Sequence, residues 1–321
     1  MSEKLSYPKI KAAAVQISPV FPFNKKKTIT KMLEYVKEAA DNYADIAVFP
    51  ECFIPAYPNW SIDFKEPSRW EEDLADFTLE CVNIEKGDLS SLQKAAKENK
   101  IIIVTGINEV IDYYDGVIFN SLVTIGSDGE ILNVHRKVFP SNREKMFHTR
   151  GDVNGLNVVD TEAGRVGGLI CYEHLQPMLK YGLIAQGEQI HCASWPGWPI
   201  FENGRSNKGV IETASKAYAL EGQCFVIASS FYVPKDEKGI DSIGNASWDY
   251  FGGSAIISPS GEYLAGPLYD KEGTVYADLD FSLIPKRKAS VDVTGKDSYP
   301  EGFDVKFNKK NRELIDFSSV E

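Results

Sequence analysis

The stretch that decides the fold runs from Lys11-Ala12-Ala13-Ala14-Val15-Gln16-Ile17 through Asn24 to Asn42 and into Asp45-Ile46-Ala47-Val48-Phe49-Pro50. The first run is apolar at nearly every position, which is the signature of a strand covered on both faces. Between Asn24 and Asn42, the residues Ile29, Met32, Leu33, Val36 and Ala40 recur three and four apart, so this segment reads as a helix with one apolar stripe. The last run is again a buried strand, stopped abruptly by Pro50. Strand, helix and strand in that order belong to a layered α/β architecture.

The same alternation continues outward. After an irregular, Pro- and aromatic-rich stretch from Phe53 to Trp70, helical periodicity returns up to Lys100. Ile101 to Val110, Val117 to Ile125 and Ile131 to Arg136 read as strands, the last two joined across Ser127-Asp128-Gly129-Glu130. Leu156 to Asp160 and Arg165 to Ile170 form a predicted hairpin, followed by a helix from His174, a strand from Gln189 to Ala193, a helix around Gly209 to Glu221 and a strand from Cys224 to Ser229. Ser254 to Ser258, the turn Pro259-Ser260-Gly261-Glu262 and Thr274 to Leu279 close the β part. Hairpins among parallel crossovers mean mixed sheets, and fully apolar strands mean sheets sandwiched between helix layers. No repeat, low-complexity tract or linker divides the chain, so one α/β domain over residues 1–321 is expected.

Composition narrows the function. The 321 residues carry 35 Lys+Arg against 46 Asp+Glu, a net charge of −11, which argues against nucleic acid as a partner. No apolar run is long enough to span a membrane. The N-terminal Met1-Ser2-Glu3-Lys4-Leu5-Ser6 lacks a basic-then-apolar leader pattern. The cysteines, at 52, 81, 171, 192 and 224, are odd in number and form no CxxC pair, which speaks against a disulfide framework or a zinc site. A soluble, reduced, cytoplasmic protein is expected.

In layered α/β proteins, sites gather beyond the carboxyl ends of strands. Three such ends carry reactive groups: Glu51 after Pro50, Lys137 after Arg136, and Cys171 after Ile170. A cysteine attacks as the thiolate, and a helix N-terminus and a nearby lysine would both lower its pKa. Glu51 would take the thiol proton and later serve the leaving group and water, while Lys137 would stabilise negative charge on the substrate heteroatom. These are the parts needed to cleave a carbon–nitrogen bond through a covalent thio-intermediate. Spacing alone leaves packing as the stronger reading of each residue, because free cysteines are commonly core and charged residues at strand ends are commonly solvated.

The local sequences reverse that weighting. Val48-Phe49-Pro50-Glu51-Cys52-Phe53-Ile54-Pro55-Ala56-Tyr57-Pro58 resembles the glutamate motif of the nitrilase superfamily, His135-Arg136-Lys137-Val138-Phe139-Pro140 its lysine motif, and Gly167-Gly168-Leu169-Ile170-Cys171-Tyr172-Glu173-His174 its cysteine motif. All three occur in the family's order, and the resemblance runs from about Ile10 to about Tyr299. The extension after Glu51, Cys192-Ala193-Ser194-Trp195-Pro196, Asp292-Val293-Thr294-Gly295 and Ser298-Tyr299-Pro300 resemble the nitrilase branch, and Cys171 to Tyr181 is most similar to arylacetonitrile-hydrolysing members.

The resemblance implies a four-layer αββα sandwich of two mixed sheets, a covalent thioimidate and thioester on Cys171, and no metal or organic cofactor. It implies a homodimer or a larger spiral homo-oligomer, and a nitrile and water as the small-molecule partners. Glu144 matches a second family glutamate that orients substrate and water; otherwise it would pair with Arg143 or Lys145 on an exposed loop. Two positions depart from the pattern: Tyr172 stands where Trp is usual, and Lys296-Asp297 where His-Tyr is common.

Tyr57, Trp60, Tyr172, Trp195 and Pro196, with Trp198 and Phe53 nearby, could line an apolar substrate pocket, with core packing as the equal alternative. His174, three residues after Cys171, is better placed to pack or bind backbone than to act as a protease-like base, and His135 to support Lys137. Cys52, next to Glu51, should point to the opposite side if the backbone there is extended. Phe231 to Ser247 reads as an exposed insertion. Two rival functions remain: an amide or N-carbamoyl hydrolase using the same three residues, and a non-catalytic assembly or thiol-sensing protein, for which Glu51 and Lys137 together have no use.

Overall fold

The computed structural model describes residues 7–58, 70–112, 114–197, 207–234 and 250–309. The chain opens with strand β1 (Lys9–Gln16), helix α1 (Lys25–Asp41) and strand β2 (Ile46–Val48). Asn24 caps α1, its side-chain oxygen accepting from the Lys27 N–H, and Thr28, Ile29, Met32, Val36 and Ala39 form the buried stripe. Helices α2 (Trp70–Glu80) and α3 (Ser90–Asn99) follow, then strands β3 (Ile102–Val110), β4 (Ile118–Ile125) and β5 (Ile131–Arg136). The second half holds β6 (Val159–Thr161), β7 (Gly164–Ile170), α4 (Pro177–Ile184), β8 (Ile190–Trp195), α5 (Lys208–Gly222), β9 (Phe225–Ser230), β10 (Gly252–Ile257), β11 (Tyr263–Tyr269), β12 (Gly273–Asp280) and α6 (Leu283–Lys288).

These strands make two six-stranded mixed sheets, in the orders β12-β1-β2-β3-β4-β5 and β11-β10-β9-β8-β7-β6. Each has a parallel centre, β1-β2-β3 in one and β7-β8-β9 in the other, flanked by antiparallel strands. Strand periodicity sorts the core into layers. Ala13 and Val15 pack with Met32 and Val36 of α1 and Leu92 and Ala96 of α3. Ala12 and Ala14 join the other cluster, with Val166, Cys192 and Ala228 of the second sheet and Leu183 and Tyr218 of α4 and α5. The result is the expected four-layer αββα sandwich.

The facing sheets approach closely. A Cβ on Gly168 of β7 would lie 2.7 Å from the Leu122 side chain of β4 and 2.8 Å from the Cys192 carbonyl, so only glycine fits there. Hydrogen bonds cross the gap as well: Ser229 Oγ donates to the Val15 carbonyl at 2.6 Å, and the Glu51 N–H to the Trp195 carbonyl at 3.3 Å.

Three sequence expectations are corrected here. The helix predicted from His174 is a 3₁₀ turn over Cys171–Leu175, and α4 starts only at Pro177, which suits a first helical position. Strand β11, absent from the sequence reading, completes the second sheet beside β10. The hairpin is shorter than expected, with Thr161 paired to Gly164. Trp60, Trp198 and residues 235–247 of the predicted insertion lie outside the described residues.

Candidate active site

The carboxyl ends of β2, β5 and β7 converge, and they bring Glu51, Lys137 and Cys171 to one place. Each segment is held by its backbone before its side chain contributes. The turn carrying Glu51 lies flat against β3: the Gly106 N–H donates to the Pro50 carbonyl at 3.1 Å. A Cβ on Gly106 would meet Cys52 N at 2.5 Å and Glu51 Cα at 2.7 Å, with the Pro50 carbonyl closer still. Past the turn, the Asn108 side-chain amide donates to the Ile54 and Ala56 carbonyls at 3.1 and 3.0 Å. His148 Nε2 holds the Asn108 oxygen at 2.9 Å. Cys52 sits at φ 48°, so the backbone is not extended and the expected opposite orientation does not apply.

Lys137 is wholly buried between two carboxylates. Its Nζ lies 2.6 Å from Glu51 Oε1, 3.0 Å from Glu144 Oε1 and 2.9 Å from Glu144 Oε2. The Glu51 Oε1 also accepts from Asn120 Nδ2 of β4 at 2.7 Å, whereas Oε2 has no hydrogen-bond partner among the described residues. Glu144 stands in a 3₁₀ turn (Asn142–Met146), where its Oε2 accepts the Ser141 N–H at 2.6 Å and its Oε1 the Tyr57 hydroxyl at 2.8 Å. Glu144 therefore does not stand on an exposed loop: it is buried, with Lys137 among its partners.

Cys171 is the first residue of its 3₁₀ turn, at φ 50°, a left-handed conformation that costs a non-glycine residue of order 1–2 kcal/mol. Glu173 holds it there. One Glu173 oxygen accepts the Ile170 N–H at 3.1 Å and meets His135 Nε2 at 2.8 Å; the other accepts the Val138 N–H at 2.7 Å. A single buried carboxylate thus ties the cysteine turn to the strand end that carries Lys137, across the two sheets. His135 supports the lysine segment through this link.

Burial dominates the electrostatics. It pushes the Glu51 carboxyl up to about 7 against the pull of Lys137, with Glu144 adding to the rise. Burial works against the Lys137 ammonium, but Glu144 and Glu51 outweigh it and hold the group well above the usual lysine range. Glu144 is lowered despite its burial, chiefly by Lys137 and with help from the Ser141 N–H. His148 is driven down to about 3 by burial and is neutral. The Cys171 thiol is pushed well up, by burial first and Glu51 next, against the pull of Lys137 and a hydrogen bond from the Tyr172 N–H. The expected lowering of the thiol pKa is therefore overturned: Cys171 rests protonated, and attack requires a base that removes the proton as the new bond forms.

The chain as a whole has relatives among known proteins. The model of the carbon-nitrogen hydrolase family matches residues 11–289. The chain belongs to that family. It is 38% identical over 312 residues to an arylacetonitrilase of Aspergillus kawachii, covering 91% of this chain and 90% of that one. An aliphatic nitrilase of Rhodococcus rhodochrous is 33% identical over 317 residues, covering 94% and 83%. Among solved structures, a carbon-nitrogen hydrolase of Helicobacter pylori superposes with a TM-score of 0.71 at 22% identity, over 88% of this chain and 92% of that one.

The remaining predicted residues of this carbon-nitrogen hydrolase divide. Tyr57 is buried within the cluster and its hydroxyl is engaged by Glu144. Tyr172 is half-buried beside Cys171, its hydroxyl donating to Asn207 at the foot of α5 at 3.1 Å. The Trp195 indole turns into packing: it stacks on His174 at 4.6 Å and donates to Ser215 of α5 at 3.2 Å. Pro196, buried, follows it. His174 binds the Cys171 carbonyl and His191 rather than the thiol. Asn120 and Glu173 were not singled out from sequence; Glu173 sits within the cysteine motif, while Asn120 lies mid-strand with no local mark. Among the described residues no cluster of His, Cys, Asp and Glu could hold a metal ion.

Proposed function

We propose that the chain hydrolyses an organic nitrile to the carboxylic acid and ammonia, with Cys171 as nucleophile, Glu51 as general base and acid, Lys137 as charge stabiliser and Glu144 as the carboxylate that holds Lys137 and orients substrate and water. The observation that carries this reading is the state of Glu51. One oxygen is occupied by Lys137 and Asn120, and the other has no partner among the described residues, beside a thiol that needs its proton taken. The named nitrilase relatives supply the substrate class, and the half-buried Tyr172 next to the thiol supports an aryl or bulky aliphatic group.

The thiolate sulfur bonds to the nitrile carbon as Glu51 removes the thiol proton, and that proton passes to the nitrile nitrogen, leaving a thioimidate. Lys137 stabilises the charge growing on the nitrogen. Glu51 then takes a proton from one water, whose oxygen adds to the thioimidate carbon, and gives that proton to the nitrogen. As the carbon–nitrogen bond breaks, the proton of the new hydroxyl passes through Glu51 to the nitrogen as well. Ammonia leaves, a thioester remains and Glu51 is again a carboxylate. A second water, activated in the same way, releases the acid and restores the thiol.

Residence in a reducing cytoplasm and self-association belong to the same proposal. All five cysteines are free and buried, and no helix among the described residues is long and apolar enough to cross a membrane. Leu175, Met178, Tyr181 and Leu220 are exposed around α4 and α5, which supports a homo-oligomer contact there. Together the two sheets would act as one catalytic domain.

Ammonia release from phenylacetonitrile, mandelonitrile, an aliphatic nitrile and a dinitrile, alongside the matching amides, tests the reading, with Cys171→Ala as blank. Nitrile turnover that vanishes in a folded blank is expected. Turnover of amides alone would move the chain to amide hydrolysis, and full activity in Cys171→Ala would overturn the assignment of the nucleophile.

A further inference from the structure

Behind the nucleophile lies a second line of buried polar groups that the reaction scheme does not use. The Tyr218 hydroxyl of α5 donates to Glu188 Oε2 at 2.5 Å. Glu188 Oε1 meets His191 Nδ1 at 2.9 Å, His191 Nε2 meets His174 Nε2 at 2.9 Å, and His174 Nδ1 meets the Cys171 carbonyl at 2.7 Å. Glu188, His191, His174 and Tyr218 are each at most 4% exposed.

The carbonyl at the end sets the direction of the whole line, because it can only accept. His174 Nδ1 must carry hydrogen, so a neutral His174 presents a bare Nε2 to its partner. His191 must then donate from Nε2, which leaves the Nδ1 of a neutral His191 as an acceptor. Glu188 then donates as a carboxylic acid; a Glu188 carboxylate beside a doubly protonated His191 would supply the same hydrogens but would place two charges in a site at most 4% exposed. Three links need three hydrogens, and one neutral acid with two neutral imidazoles supplies them. Removing one hydrogen leaves a link in which two lone pairs face each other, whichever link takes the loss. Adding one sets two N–H groups head to head.

We propose that Glu188, through His191 and His174, positions the nucleophile: the line grips the Cys171 carbonyl and keeps its left-handed backbone in reacting geometry only while Glu188 carries its proton. This rests on the nitrilase reading for its functional consequence, and makes Glu188 a positioning residue, remote from substrate. The surroundings agree with the neutral line. Burial lifts Glu188 to about 8, a rise that Tyr218 opposes, and pushes both imidazoles well below their usual value. The other groups that face the line are Cys192 and Cys224, both held as thiols chiefly by burial, Glu173 and Lys180, which act on His174 in opposite senses, and His135 across the sheet gap; Lys180 of α4 pairs with Glu221. His135 and Lys180 both work against a charged His191.

The test compares Glu188→Gln with Glu188→Ala. A glutamine amide donates to His191 and accepts from Tyr218 without titrating, so it keeps the direction of the line at every pH. Wild type should lose kcat as pH rises through about 8. Glu188→Gln should retain activity past that point, and Glu188→Ala should lose about 10²-fold in kcat with KM little changed, the size expected for a misplaced reacting group. The same alkaline limb in Glu188→Gln as in wild type would overturn the proposal. Nitrogen NMR of the imidazoles gives a readout independent of turnover. Hydrogen on His174 Nδ1 and His191 Nε2 near neutrality, rearranging in alkali in wild type but not in Glu188→Gln, is expected; an unchanged pattern in wild type refutes the line. If no nitrile is turned over, the nitrilase reading fails, and the NMR result still decides the state of the line.

Discussion

Asn120 offers the sharpest check on how Glu51 is tuned. Its side-chain amide donates to Glu51 Oε1 at 2.7 Å, and both groups are buried. A hydrogen bond to a charged group is worth about 1.5–3 kcal/mol, and about 1.4 kcal/mol moves a pKa by one. Asn120→Leu fills the same space without a donor, so it removes a contact that favours the carboxylate and must raise Glu51 further. From its present value of about 7, the group should move to between about 8 and 9. Glu51 must be ionised to take the thiol proton, so activity rises with pH through its pKa. At neutral pH the ionised fraction would fall from about one half to between about one tenth and one hundredth, a loss of roughly 5- to 50-fold in kcat/KM. The assay is ammonia release across pH, fitted with both limbs, alongside urea unfolding. An acid limb that stays in place in a stably folded variant would refute the reasoning and leave burial, Lys137 and Glu144 to set Glu51 without Asn120.

Two other substitutions probe the same framework. Lys137→Met strands Glu51 and Glu144 as buried, mutually repelling carboxylates, and should destabilise the fold by about 3–5 kcal/mol in mildly alkaline urea titrations; because protonation relieves the repulsion, the penalty should shrink in acid, and a loss that does not depend on pH would contradict the arrangement. Gly106→Ala drives a methyl into the backbone of the Glu51 turn and should cost about 1–3 kcal/mol while lowering kcat more than it raises KM; an unchanged Tm with unchanged kcat would show that the turn can give way.

The elements that sequence exposed are those in which local pattern and tertiary role agree. Helix α1 matches its predicted segment to within its caps because Asn24 and Asn42 bracket a clean apolar stripe. Strand β5 spans the predicted residues because a turn precedes it and Lys137 ends it. β11 escaped because Gly266 and Pro267 interrupt it, and a proline argues against a strand unless the segment lies at an edge, which is where β11 sits. The helix near His174 was placed too early because apolar spacing continues through Cys171–Leu175, whereas Pro177 is where the α-helix can begin. At the site, Glu51, Lys137 and Cys171 stood out as reactive groups at strand ends. Asn120 did not, since one asparagine inside an apolar strand carries no sign of what lies across the sheet. The state of the thiol was misread for a related reason: Lys137 was visible, but burial and the competing charge of Glu51 arise only in three dimensions.

The division of parts between the sheets has a consequence for how this enzyme can change. Base, lysine and Asn120 ride on one plate of the sandwich, and the cysteine rides on the other. The working distance between them is therefore set by the thickness of the filling, by how far Leu122 sinks over Gly168 and by the few hydrogen bonds that rivet the plates together. Side chains that never meet a substrate act as shims. Natural drift or directed evolution can retune rate and product by swapping them, with the pocket and the reacting groups left as they are.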